Sequence, residues 1–320
     1  MYVRRLVKAG QASHTISLPK DWLEKNKLQK GDMVYITEHT DTDLMLSPQK
    51  RETVEVPREI VIPIGGKDLG SIQRELTSAY LNNYNTIVLT GDNPTALKQV
   101  REMIHNFIAL EISEQTTTKI VAKDLLNLQE ISIPKTIRRL DMILRSLIKD
   151  AQAMPLGGKV HESIAFRDED INRLYFMIFR LLKKALGNPD VAQKFELSSA
   201  NILSTWYLIH NLENMGDALA QVCSLKETVS SIKDEAVLAS LHEDIDIGFK
   251  DVMKAYFNHD KNLANQVAGR WPAFADKANG LFEKNKTPDL ALMKEQFKQV
   301  FSQISNIARI VMDEENAPGV

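Results

Sequence analysis

Glu213 and Asp217 stand four residues apart in a long helical run, and His210 lies one turn before them. Residues at that spacing share one face of a helix, so two carboxylates and an imidazole can project the same way. Such a mixture of oxygen and nitrogen donors suits iron, zinc or nickel better than magnesium. Together with Gln221, the same residues equally form an ordinary solvated stripe opposite Leu208, Leu212, Met215, Leu219 and Val222. A second group is cationic. Arg4, Arg5, Lys8 and Lys20 fall within the first twenty positions, with Ser13 and His14 among them. Clustered guanidinium and ammonium groups suit phosphate contacts, and the serine and histidine could reach base edges or backbone, so this group fits DNA. Lys25, Lys27 and Lys30 fit an ordinary soluble surface instead.

The charge distribution separates these two groups. The first thirty residues carry seven Lys and Arg against two acids, whereas the remainder has a net charge of -7. That split implies a polyanion-facing head on a body that does not itself bind nucleic acid. At 320 residues, 43% apolar and 26% charged, the chain predicts two or three domains and excludes disorder or a fibre. No apolar run approaches the roughly 18–20 residues that span a bilayer, and the N-terminus lacks an apolar signal core, so the expectation is a cytoplasmic protein without membrane insertion. Cys223 is the single cysteine. It predicts a small core residue rather than a disulfide or zinc ligand. No nucleophile-elbow context surrounds the serines, and no helix pair carries the Glu-x-x-His motif of a di-iron enzyme. The expectation is a non-enzyme.

The head must be built from short β elements. Val3 to Val7 reads as extended, Gly10 to Ser13 as a break, and His14 to Leu18 as a second strand. Pro19 opens a short helix that stops near Leu28. Met33–Ile36 and Leu44–Leu46 then pair across a polar loop. Some 45 residues without disulfide or metal bury too little core alone, which predicts a dimer. The run RRLVKAG, then SHTISLPKDWLEKNKLQKGDMVYI, then LMLSP resembles the SpoVT/AbrB swapped-hairpin DNA-binding domain, most nearly its archaeal form. That resemblance implies a homodimer with interleaved hairpins, and DNA contacts from Arg4, Arg5, Lys8, Ser13, His14 and Lys20. The same group includes antitoxins of toxin–antitoxin pairs, a subclass that the long fused helical region argues against.

Residues 51–130 read as a small α/β plait. Val54 and Val56 alternate with charges, Ile60 to Ile64 form an apolar strand, and Leu69, Ile72, Leu76 and Tyr80 recur at helical spacing. Thr86–Thr90 is a buried-type strand, and Asn93 and Pro94 cap a helix running to about Ile108. Two strands flank the turn at 115–118. Neither a P-loop nor a dinucleotide fingerprint occurs, so a spacer or dimer-forming role is expected.

From Pro134 on, helices are expected at 134–154, 160–186, 197–225, 229–257, 260–285 and 289–314, as two three-helix units. Leu212-Glu213-Asn214-Met215-Gly216-Asp217-Ala218-Leu219-Ala220 and Asp168-Glu169-Asp170-Ile171-Asn172-Arg173-Leu174 resemble the two acidic signatures of PhoU proteins, regulators of phosphate uptake. The resemblance covers residues 130–315 and implies Asp168 as a further ligand beside Glu213 and Asp217. It departs from the family at Asn172, which replaces an acid, and in the second unit, where Phe301 and Ser305 stand in place of the acid pair. At most one site for iron, zinc or nickel is implied.

The expected architecture is therefore multidomain and mostly α: a swapped-hairpin β domain at 1–48, the plait at 51–130, and a PhoU-like six-helix bundle at 131–320. The expected function is DNA-binding regulation of phosphate uptake, with the bundle sensing through a phosphate-signalling or transporter partner. The alternative is an adaptor that regulates a phosphate transporter or kinase by protein contact, the head serving only to dimerise.

Overall fold

The computed structural model describes residues 2–10, 13–40, 43–49, 57–92 and 94–314. The chain forms two compact units, residues 1–56 and 57–320. The expected alternation at Val54 and Val56 and the cap at Asn93 lie outside the described residues.

The first unit holds two separate hairpins. β1 (Val7–Ala9) pairs antiparallel with β2 (Ser13–Thr15), and β3 (Tyr35–Thr40) with β4 (Asp43–Ser47). Between them α1 (Lys20–Lys25) starts directly after Pro19, whose missing N–H costs nothing at a helix entrance. The strands expected over 3–7 and 14–18 are displaced and shortened. Among the described residues, Val7–Ala9 pairs antiparallel with Ser13–Thr15, and residues 2–6 and 16–18 have no ladder. No described side chain in this unit is buried.

The second unit begins with the plait. β5 (Glu59–Pro63), β6 (Thr86–Thr90), β8 (Lys119–Asp124) and β7 (Leu110–Gln115) form one sheet in the order β5-β6-β8-β7, parallel between β5 and β6 and antiparallel elsewhere. The β5–β6 crossover is α2 (Leu69–Leu81), entered through Asp68, whose side chain accepts from Ser71 N. α3 (Pro94–His105) links β6 to β7. Ile72, Leu76 and Tyr80 of α2 bury against Ile62, Ile87, Leu89, Ile120 and Ala122, alternate positions on one sheet face.

The bundle follows: α4 (Ile133–Ala153), α5 (Glu162–Gly187), the short α6 (Pro189–Lys194), α7 (Ser199–Thr228), α8 (Glu235–Asn258), α9 (Lys261–Ala268), α10 (Trp271–Lys284) and α11 (Pro288–Asp313). Ser132, His161, Asn188, Ser198, Asp260 and Thr287 cap their helices through side-chain acceptors. Two expectations are corrected. The helix expected from 229 begins at Glu235, and the single helix expected over 260–285 is two, broken at Gly269–Arg270. Pro272 accounts for the break, because its ring displaces the carbonyl four residues earlier and it has no N–H to donate. α7 and α11 run through the centre, with Leu208, Leu212, Met215, Leu219, Val222 and Cys223 on one and Phe297, Val300, Ile304, Ile307 and Val311 on the other, all but excluded from solvent. Among the described residues no helix is long and apolar enough to cross a membrane.

Plait and bundle pack as one unit through a buried arginine. Arg180 of α5 is 1% exposed and makes a bidentate pair with Asp124 at the end of β8, Nη1 to Oδ1 at 3.1 Å and Nη2 to Oδ2 at 2.6 Å. Its guanidinium lies 4.3 Å from the centroid of the Tyr80 ring, and Asn83 bonds both its Nε and its carbonyl. Burial alone would lower the pKa of Arg180, and Asp124 more than reverses this.

Candidate nucleic-acid interface and acidic cluster

The β1–β2 register sets Lys8 directly opposite His14 and Ala9 opposite Ser13. Opposed residues of an antiparallel pair share a face, so Lys8 and His14 project together. Gly10 turns the hairpin at φ +84°, a conformation that costs a glycine little. Ser13 Oγ donates to the Ala9 carbonyl and is thus occupied in tightening the turn. Arg4 and Arg5 precede the strand, exposed, with the Arg4 guanidinium 5.7 Å from the Tyr2 ring centroid. Tyr2 Oη donates to Asp21 Oδ2 at 2.9 Å, which holds the extended N-terminal segment against α1. Lys20, at the start of α1, faces Glu24 at 3.5 Å, so part of its charge is balanced. The hairpin gathers Lys8, Ser13 and His14; Arg4 and Arg5 extend the same segment, and Lys20 stands apart with its acid.

The second group is brought together by two helices. Gly216 lets α7 approach α5 closely: a Cβ there would sit 3.0 Å from Ile171 Cδ1 and 3.8 Å from Asp168 Oδ1. Asp168 and Asp217 come within hydrogen-bonding reach of each other, and Glu213 feels the charge of both. Asp168 Oδ1 is buried with no hydrogen-bond partner. Burial first, then the neighbouring Asp217, pushes Asp168 up to about 6. Burial, then Asp217 and Asp168, pushes Glu213 up to about 7. Asp217 is also raised by burial, with its contact to Asp168 opposing. Asp168 and Glu213 are half-buried, whereas Asp217 and Gln221 are exposed, so the stripe is solvated only at its outer end.

His210 does not join them. Its ring stacks on Trp206 at 5.6 Å and 3°, and the Asn214 amide nitrogen lies 3.1 Å from its Nδ1 while donating to its carbonyl at 2.7 Å. Asn172, on the same helix as Asp168, is neutral. Among the described residues no three His, Cys, Asp or Glu side chains converge as a set that could hold a metal ion. The charge of the acidic cluster suits a cation, while its geometry does not supply three ligands for iron, zinc or nickel.

Residues 12–54 match the family described as antidote-toxin recognition MazE, bacterial antitoxin. No curated protein matches the chain. The crystal structure of PhoU from Pseudomonas aeruginosa is similar at 13% identity and a TM-score of 0.49, with 56% of this chain and 93% of that one covered. The match spans β2, α1, β3 and β4 and leaves β1 outside it, so the N-terminal unit carries a MazE/AbrB-type domain over residues 12–54.

The residues that sequence reasoning missed are buried polar ones. Arg180 reads in sequence as one cation in a cationic helix end, and its partner Asp124 is 56 residues away. Lys226 and His242, both 2% exposed, sit in amphipathic runs whose pattern does not mark them.

Proposed function

We propose that the protein is a homodimeric DNA-binding transcriptional regulator of phosphate homeostasis, in which the basic hairpin contacts DNA and the helical unit senses or relays the signal through a protein partner. The observation that carries the reading is the state of the head. Lys8 stands on its first hairpin with Arg4 and Arg5 on the segment leading into it, while its apolar side chains, among them Val3, Leu6, Ile16, Met33, Ile36 and Leu44, are more than half exposed in the single chain. A 50-residue unit with so much uncovered apolar surface needs a second copy, and two copies double the basic face. The phosphate link rests on the acidic signatures at 168–174 and 212–220.

Chromatin immunoprecipitation of the tagged full chain in its host tests this. Discrete sites near phosphate-uptake genes are expected. Binding to a recovered fragment should show a salt dependence whose slope flattens by about 2 for each of Arg4, Arg5 and Lys8 changed to alanine, one contact per protomer. Failure to enrich any site, or an unchanged slope in the triple variant, rejects DNA binding by this face. The antitoxin family match favours a second reading, in which the head recognises a toxin protein; co-purification of a stoichiometric small partner from the host would support it.

A further inference from the structure

Where α4 and α7 end and α8 begins, the chain leaves an open cleft of about 300 Å³. The loop after α4 forms one wall, fixed to α7 by the Gly157 N–H bond to the Lys226 carbonyl at 2.8 Å. Lys226 and His242 both line the cleft, and each is 2% exposed. Lys226 Nζ donates to the Ala151 carbonyl at 2.7 Å, its one hydrogen-bond partner among the described residues, although an ammonium carries three donors. His242 is less satisfied still, with Nδ1 and Nε2 both buried and unpartnered. Its ring is held edge-on against Phe297 at 5.0 Å.

Buried polar groups of this kind are rarely left unpaired, and an ammonium without a counter-charge is the costlier of the two. Burial and the nearby Lys226 push His242 down to about 3, so the imidazole is neutral and offers one N–H donor. A cation and a neutral donor lining the same cleft call for an anion with two oxygens. The rest of the lining is mixed: Met154, Leu156 and Leu238 supply an apolar part, and Gln152, Ser230 and Glu235 a polar one. The volume lies at the lower end of small-molecule sites.

We propose that this cleft binds a small organic carboxylate with an apolar carbon body, the carboxylate seated between Lys226 and His242 and the carbons against Met154, Leu156 and Leu238. Glu235 stands exposed on the same cleft. Its carboxylate opposes a plain acid and favours one that also bears an ammonium, so the two sources of this chemistry, a simple short-chain acid and a free amino acid, are separable.

The test is calorimetric titration of the full chain with 4-methylpentanoate, with leucine, and with 4-methylpentanol as the uncharged body. Saturable binding of at least one of the two acids, without saturable binding of the alcohol, is expected. Lys226→Met keeps the apolar stem and should weaken the acid by roughly tenfold or more, the scale of a lost charge-assisted hydrogen bond. Glu235→Gln, at an exposed position that does not endanger the fold, should tighten 4-methylpentanoate if a plain acid is the ligand and weaken leucine if an amino acid is. The proposal is overturned if neither acid binds saturably at millimolar concentration, if the alcohol binds as well as the acids, or if a folded Lys226→Met variant binds unchanged. Should Lys226→Met fail to fold, indifference of both acids to Glu235→Gln overturns it.

Discussion

The two halves of the bundle use corresponding helix positions for opposite ends. On α7, half-buried Glu213 and exposed Asp217 meet half-buried Asp168 of α5, and Asp217 raises the pKa of both half-buried acids. On α11, Phe301 and Ser305 hold those positions, and Phe301 stacks on Phe274 at 4.4 Å, with Trp271 6.3 Å away. A glycine brings the helices close in each half, Gly216 against Ile171 and Gly248 against Phe301. The difference shows that this helix plan does not need the acids to be stable. The second half spends the layer on aromatic packing, and the first keeps charges that work against folding at neutral pH.

The largest effect expected from that contrast is in the aromatic half. Phe301→Ala should cost about 3–5 kcal/mol in denaturant unfolding, the range for an emptied aromatic core site. A loss below about 1 kcal/mol would break the comparison by showing the aromatic layer to be dispensable.

Next comes pH. Asp168 and Glu213 have folded pKa values above their unfolded ones, so the neutral acids favour the folded state fully below the unfolded values, near pH 4, and that support is lost as pH rises through about 6 and 7. Stability should therefore fall by on the order of 1–2 kcal/mol between pH 5 and 8, after allowance for partial solvation. A flat or rising profile across that window would mean that the acids are compensated, and stoichiometric iron, zinc or nickel by elemental analysis would identify the compensating charge. Such a metal would also bind more weakly as pH falls.

Smaller again, Glu213→Gln should gain on the order of 1 kcal/mol at pH 8 and nothing at pH 4, which sharpens the comparison by assigning part of the slope to one group. Smallest is Ser305→Ala. Its Oγ donates back to the Phe301 carbonyl at 3.1 Å within its own helix, so the change should stay within roughly 0.5–1 kcal/mol by thermal unfolding.

Much of this was legible before any coordinates. The three-to-four spacing of Leu208, Leu212, Met215, Leu219 and Val222 marks the buried stripe of α7, and short unbroken apolar runs mark β5 and β6, because both follow from local geometry. Pro272 also announces the break between α9 and α10 by its missing N–H, though the run around it reads as one helix. The acidic cluster is legible only in part. Spacing places Glu213 and Asp217 on one face, yet the half-burial of Glu213 depends on how closely α5 lies, and the diversion of His210 depends on Trp206 one turn away. Lys226 and His242 leave no mark at all, since a lone lysine or histidine in an amphipathic helix looks the same whether its neighbours are water or protein.

Arg180 also changes where this chain can be divided. A fragment beginning after residue 130 would contain every helix of the bundle and would still strip away Asp124 and Tyr80, leaving a desolvated guanidinium with no counter-charge in the middle of α5. The folding unit is therefore larger than the bundle. Amide protons of β8 and of the C-terminal half of α5 should exchange together, as members of one cooperative block rather than two neighbouring domains.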